Sequence, residues 1–217
     1  MRIPWLSFVL PAQCRLADGR FSPKMLTYEK SGQSLWVFGY GSLIWNPGFS
    51  YEEKRRGRAI GFARRMYQGN TYHRGDDSLP GRVATLVQDS TSEATGMLFR
   101  IRGRRAIRAA LAHLYEREVG NGYRFEEIPC VVEIDGRLVK TMALTCIAYD
   151  DNEYYLGPDE VSKMAMEIAK ARGLAGPNHE YVLKLAEHHR LLFPDHHDTH
   201  LFELETMVRE GLMAVAA

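Results

Sequence analysis

Leu35-Trp36-Val37-Phe38-Gly39-Tyr40-Gly41-Ser42-Leu43-Ile44-Trp45 sets an apolar, β-type run against a Gly-Tyr-Gly-Ser turn, after which apolar residues resume. The two glycines are expected to allow positive φ and a close approach of main-chain N–H groups to a bound group. Successive N–H groups in such a turn form a concavity that favours an anion such as a carboxylate or an oxyanion. Spacing alone leaves two readings open, a plain structural turn and an anion-binding loop. Nucleotide readings fit poorly. The stretch ends in Ile44 where a dinucleotide fingerprint needs Gly or Ala, and Gly57-Arg58-Ala59-Ile60 fills the window where its acidic residue would stand. The Gly-Lys-Ser/Thr of a Walker A loop is missing, and Ser42 lacks the Gly-x-Ser-x-Gly frame of a hydrolase elbow.

The whole chain has 217 residues, enough for one large domain or two small ones with a real core. The chain is 45% hydrophobic and 25% charged, a globular composition. Its 28 basic and 27 acidic residues leave a net charge of +1, which removes the main argument for nucleic acid or an anionic membrane as partner. Cys14, Cys130 and Cys146 are widely spaced and odd in number, so neither a disulfide framework nor a zinc site is expected, and a reducing cytoplasm is favoured. Cys130 and Cys146 sit in apolar runs and read as inert buried thiols. Trp5–Leu10 is too short for a membrane span and lacks the cleavage site of a signal peptide.

Residues 1–34 show no sustained period and are expected to be an extension to a domain spanning 35–217. Tyr51–Arg58 reads as a charged, solvated segment. Strands are expected at Ala59–Tyr67, Arg82–Val87, Ala94–Ile101, Arg124–Ile134 and Leu138–Tyr149, the last two joined by a type I′ turn at Asp135-Gly136. Short connections argue for antiparallel pairing. The loop between the first two of these strands carries His73 and Arg74, with Arg82 close behind.

Arg104–Glu118 has the period of a helix, with Ile107, Ala110, Leu111, Leu114 and Tyr115 on one face and Gly120 and Gly122 closing it. Glu118 falls about 20° from Ile107 on the wheel, within the apolar stripe, whereas Glu116 points roughly the opposite way. A carboxyl there is costly unless paired or protonated, and burial would raise its pKa toward the range useful for proton transfer. The competing expectation is that the helix frays first, or that Glu118 simply pairs with Arg117 or Arg124.

The last third reads as helices: one opened by Pro158-Asp159-Glu160 and ended by Gly173, one capped by Asn178, one capped by Asp198. The whole is α+β, a strand-rich body with a mostly helical C-terminal third. His188, His189, His196, His197 and His200 lack a convergent ligand spacing, so surface and cap histidines are expected and no metal site.

Four blocks in register carry a resemblance: VFGYGSLIWNP at 37–47, YQGNTYHRGDDSLPGRVATLV at 67–87, REVGNGY at 117–123, and YLGP with AGPNHEYVLKLAE between 155 and 187, followed by THLFELETMV. Over residues 35–213 the chain resembles the ChaC-type γ-glutamylcyclotransferases, the glutathione-selective branch. The resemblance implies a small mixed β-barrel with helices packed around it. It implies conversion of glutathione to 5-oxoproline and cysteinylglycine, a small-molecule substrate and no cofactor. It assigns substrate binding to Val37, Phe38, Gly39, Tyr40, Gly41 and Ser42, and proton transfer to Glu118. Arg74 and Arg82 become candidate anchors for the peptide's far carboxylate, on charge and loop position only. Tyr72 replaces the family's usual Asp before His-Arg-Gly, and the segment before Arg117 reads HLYE, departures that bear on substrate preference. The open alternatives are a cyclotransferase for other γ-glutamyl peptides or amines, and a non-catalytic γ-glutamyl or anion-binding module.

Overall fold

Five long strands form the body of the protein, seen in a computed structural model that describes residues 34–216. They are β1 (Ser34–Gly39), β2 (Glu53–Asn70), β3 (Gly81–Arg102), β4 (Tyr123–Ile134) and β5 (Arg137–Ala148). Helix α1 (Arg104–Glu118) joins β3 to β4. After β5 come α2 (Val161–Lys170), the short pair β6 (Arg172–Gly173) and β7 (Gly176–Pro177), α3 (Asn178–Leu192) and α4 (Thr199–Ala216). The expectations for residues 1–33, Cys14 among them, lie outside the described residues.

The strands pair in the order β1-β3-β2-β4-β5, and a single parallel pair, Val37 with Leu144, brings β5 back to β1 and closes the sheet. Every other pairing among these five strands is antiparallel, as short connections require for the consecutive pairs β2–β3 and β4–β5. The parallel seam departs from that expectation because its two strands are joined by nearly the whole sheet. Asp135 and Gly136 both have positive φ, 50° and 74°, as a type I′ hairpin demands.

Two segments differ from their sequence reading. The charged residues Glu53–Arg58 are solvated but belong to β2, with ion pairs from Arg56 to Glu133 and from Arg58 to Glu93 across neighbouring strands. Such cross-strand pairs let a polar outer face persist on a strand whose other face is buried. The runs 82–87 and 94–101 are two ends of one strand, β3. Pairing with β2 jumps from Ile60–Glu93 to Phe62–Gln88. Asp89 holds the intervening bulge together, accepting from Thr91 N at 3.0 Å and Ser92 Oγ at 2.6 Å.

The core lies between the sheet and the helices. Phe38, Leu98, Phe99, Ile101 and Val132 meet Ile107, Leu111 and Leu114 of α1, and α2, α3 and α4 add Ile168, Val182, Leu185 and Leu204, each at most 1% exposed. The Asp198 side chain caps α4 by accepting from Leu201 N at 3.1 Å. Asn178 does not cap α3. Its amide instead exchanges hydrogen bonds with the main chain of Arg82, at 2.7 and 2.9 Å, and docks α3 against β3. Helix α2 ends at Lys170, before Gly173, which belongs to β6.

Candidate active site

The glycine turn leaves the end of β1 and enters a 3-10 turn, Ser42–Ile44, closed by Ile44 N to Gly41 O at 3.0 Å and Asn46 N to Ser42 O at 2.9 Å. The first N–H groups of such a turn have no acceptor within it. The glycines are not there for positive φ: Gly41 has φ −119°, and Gly39 is not among the positive-φ glycines. Close packing requires them. A Cβ on Gly39 would lie 2.6 Å from Leu43 Cβ, and one on Gly41 would lie 2.7 Å from the Tyr181 phenol oxygen.

Tyr40 ties the turn itself to β5, while Tyr123 and Tyr181 both bond Ala84 of β3, which lies against Gly41. Tyr40 donates to the Cys146 carbonyl on β5 at 2.5 Å, Tyr123 to the Ala84 carbonyl at 2.7 Å, and Tyr181 accepts from Ala84 N at 3.2 Å. Val37 and Phe38 lie in β1 with their side chains in the core, at 1% and 0% exposure. Gly41 and Ser42 are the partly open residues among 37–42.

Helix α1 delivers Glu118 to the same place. Its buried face, Ile107, Ala110, Leu111 and Leu114, fixes its rotation, and Glu118 is its last residue. The chain then tightens through Val119–Asn121 to Gly122, whose φ of +85° stops the helix. The Glu118 side chain is 16% exposed and lies 3.0 Å from Arg117 Nε, so it is paired as well as inward-facing; Arg124 is engaged with Asp151 instead. Burial raises the Glu118 carboxyl above the usual carboxylate range, and the Arg117 charge opposes that rise. Glu118 also acts on its surroundings. After burial, its negative charge helps push up the phenols of Tyr40, Tyr123 and Tyr181 and the Cys146 thiol.

Arg117, which sequence reasoning treated only as a salt-bridge partner, donates to Ser42 Oγ and to the Asn46 carbonyl, each at 2.6 Å. His73 stands at the rim, its pKa lowered first by burial and then by the Arg117 and Arg74 charges. Tyr72 packs edge-on against its ring and is 58% exposed. Arg74 reaches the Pro177 carbonyl at 2.9 Å and Glu180 at 3.4 Å. Arg82 does not face the site. It is 2% exposed and holds Glu167 at 2.6 Å and the Gly157 carbonyl at 2.8 Å, a strut between β3 and α2.

The histidines are not all surface residues. His189 is fully buried between Phe193 and Phe202, and His200 Nε2 accepts from Met66 N at 3.0 Å. Among the described residues, no group of three or more His, Cys, Asp or Glu side chains is placed to hold a metal ion. A cavity of about 670 Å³ opens elsewhere, between Phe49 and the first turns of α1, and includes neither Glu118 nor the glycine turn.

A buried carboxyl with a raised pKa, tied through Arg117 to Ser42 of the glycine turn, can accept a proton and return it. The family model for ChaC-like proteins matches residues 35–211. A zebrafish glutathione-specific γ-glutamylcyclotransferase 1 is 39% identical over 172 residues, covering 79% of this chain and 87% of its own. A fission-yeast glutathione-specific γ-glutamylcyclotransferase is 35% identical over 202 residues, covering 87% of this chain and 98% of its own. The crystal structure of a yeast γ-glutamyl cyclotransferase specific to glutathione superposes with a TM-score of 0.74 at 27% identity, over 82% of this chain and 96% of that one.

Proposed function

The chain belongs to the ChaC-like protein family, and from that premise we propose that it is a glutathione-specific γ-glutamylcyclotransferase. The closed five-stranded sheet fits the small mixed barrel that this assignment calls for. The substrate's own α-amine attacks its γ-carbonyl. A C–N bond forms, closing a five-membered lactam, and the amide bond to the cysteinyl nitrogen breaks. The products are 5-oxoproline and cysteinylglycine. Because the nucleophile is intramolecular, the enzyme's main task is to hold the glutamyl group in its bent, reactive shape.

At neutral pH the amine is mostly an ammonium ion and has to lose a proton before it attacks. Glu118 takes that proton and passes it to the departing nitrogen. The second proton, shed by the attacking nitrogen as the lactam forms, ends on the released amine. The carboxylate is thus regenerated, one ammonium replaces another and charge balances. The main-chain N–H groups of Gly39–Ser42 hold the glutamyl carboxylate or the oxyanion that develops on the γ-carbonyl. The chemistry requires no metal or redox group. Cys130 and Cys146 are free, buried thiols, in accord with a cytoplasmic location.

The observation that carries this reading is the inward Glu118 carboxyl, linked through Arg117 to Ser42 of the turn. The test is release of cysteinylglycine and 5-oxoproline from glutathione by purified wild type and Glu118→Gln. Gln keeps the shape and some hydrogen bonding but cannot take the proton. Turnover by the wild type with loss of about a hundredfold or more in the variant is expected. Near wild-type turnover by Glu118→Gln would overturn the role of Glu118. Faster turnover of γ-glutamyl-alanine than of glutathione would assign the same chemistry to other γ-glutamyl compounds, and substrate binding without any product would leave a binding module.

A further inference from the structure

Arg117 grips both halves of the proposed site. Nη2 donates to Ser42 Oγ and Nη1 to the Asn46 carbonyl, both at 2.6 Å, while Nε faces Glu118 Oε1 at 3.0 Å. Ser42 and Asn46 are the two ends of one tight turn, joined by Asn46 N to Ser42 O at 2.9 Å, so the guanidinium spans it like a staple. The other end of Arg117 is fixed too. Its carbonyl accepts from Asn121 Nδ2 at 2.7 Å, and the Asn121 carbonyl accepts from Gln68 Nε2 on β2 at 2.9 Å.

A planar guanidinium held by two hydrogen-bond acceptors and an ion pair in different directions has little freedom left, which a lysine ammonium in its place would not reproduce. We propose that Arg117 is a positioning residue for the cyclisation: its guanidinium ties the glycine turn to the proton carrier and fixes the distance between them. The inference rests on Glu118 being that carrier. The distance matters because the turn is to hold the glutamyl group while Glu118 meets its amine. A shift of about 1 Å between those two points can cost about a hundredfold in rate. Arg117 has a second, separable effect. Its charge holds the Glu118 carboxyl below where burial alone would put it.

The experiment compares kcat, KM and the pH profile of glutathione turnover for wild type, Arg117→Gln, Arg117→Lys and Glu118→Gln. Arg117→Gln is expected to lose about a hundredfold in kcat, with its acid limb moved to higher pH. Arg117→Lys restores the charge without the fork, so its acid limb returns toward the wild-type position while kcat stays about tenfold or more down. A wild-type kcat and acid limb in Arg117→Gln, beside an inactive Glu118→Gln, would overturn the Arg117 assignment alone. Retained turnover in Glu118→Gln would bring down the reading beneath it. If Arg117→Gln does not fold, Arg117→Lys decides, and a kcat within about twofold of wild type overturns the staple.

Discussion

The Tyr181 phenol oxygen fills the space where a Cβ on Gly41 would lie, at 2.7 Å, and it is pinned there by the N–H of Ala84 at 3.2 Å. Trp45 packs edge-on against the same ring, with centroids 5.8 Å apart. The phenol has little room to retreat, so Gly41→Ala has to move the turn instead. The expected result is a loss of about 1–3 kcal/mol in stability and a marked fall in kcat/KM. Tyr181→Phe removes the colliding oxygen, so the double variant recovers part of that loss. A double-mutant cycle by urea unfolding should read a coupling of about 0.5–3 kcal/mol; simple additivity would show that the two groups do not collide.

The raised carboxyl of Glu118 has two consequences with opposite signs. As a base it works only when ionised, so kcat/KM is expected to climb with pH through a value above the ordinary glutamate range. As a folded-state acid with a raised pKa, it adds stability that is present below the unfolded pKa and is lost as pH rises through the folded one. At neutral pH the ionised group therefore weighs against the fold. Glu118→Gln should be more resistant to thermal unfolding than wild type near neutrality and lose that advantage in acid. A variant that is inactive and no more stable at neutral pH would contradict the burial argument.

Arg82, a substrate-anchor candidate on charge alone, is better explained as architecture. Its guanidinium is almost wholly buried and binds Glu167 and the carbonyls of Met66 and Gly157. Breaking such a pair from one side leaves an uncompensated carboxylate and two carbonyls without donors, a loss of roughly 3 kcal/mol or more. Arg82→Met is expected to lower the unfolding midpoint strongly while leaving KM for glutathione near wild type. A raised KM without loss of stability would return Arg82 to the substrate.

The inward placement of Glu118 was legible because a helical period and one apolar face determine the angle of every other position, and the helix keeps that period from Ile107 to its end. The Asp135-Gly136 hairpin was legible because its turn chemistry is local. What stayed hidden depends on distant chain. Nothing near Arg117 in sequence announces that its side chain reaches Ser42, 75 positions away. The need for Gly41 comes from Tyr181 on another element, so a turn that looks as if it wants positive φ in fact wants empty space. Tyr51–Arg58 read only as a charged, solvated segment, because Glu133 and Glu93, which pair with Arg56 and Arg58, come from other strands.

His200 carries a last expectation, about acid. Its Nε2 accepts the Met66 N–H at 3.0 Å, which only a neutral ring with that nitrogen unprotonated can do. Burial first, and then the nearby Arg65 charge, lower its pKa from 6.5 to about 4, with Asp198 opposing. Buried His189, facing Arg64, Asp198, His196 and Arg190, is likewise lowered from 6.5 to about 4, again mainly by burial. Both depressions act in the same direction. The unfolded chain takes up these protons near the ordinary histidine value while the fold refuses them, so stability is full above about 6.5 and falls as pH drops toward about 4. The upper bound is roughly 3 kcal/mol for each ring. Urea unfolding across that range should show the loss, and His200→Gln should flatten part of it, because a glutamine oxygen can accept from Met66 N without titrating. A wild-type stability that holds level from neutrality to about pH 4 would mean that both rings take up protons in the fold as readily as in the open chain.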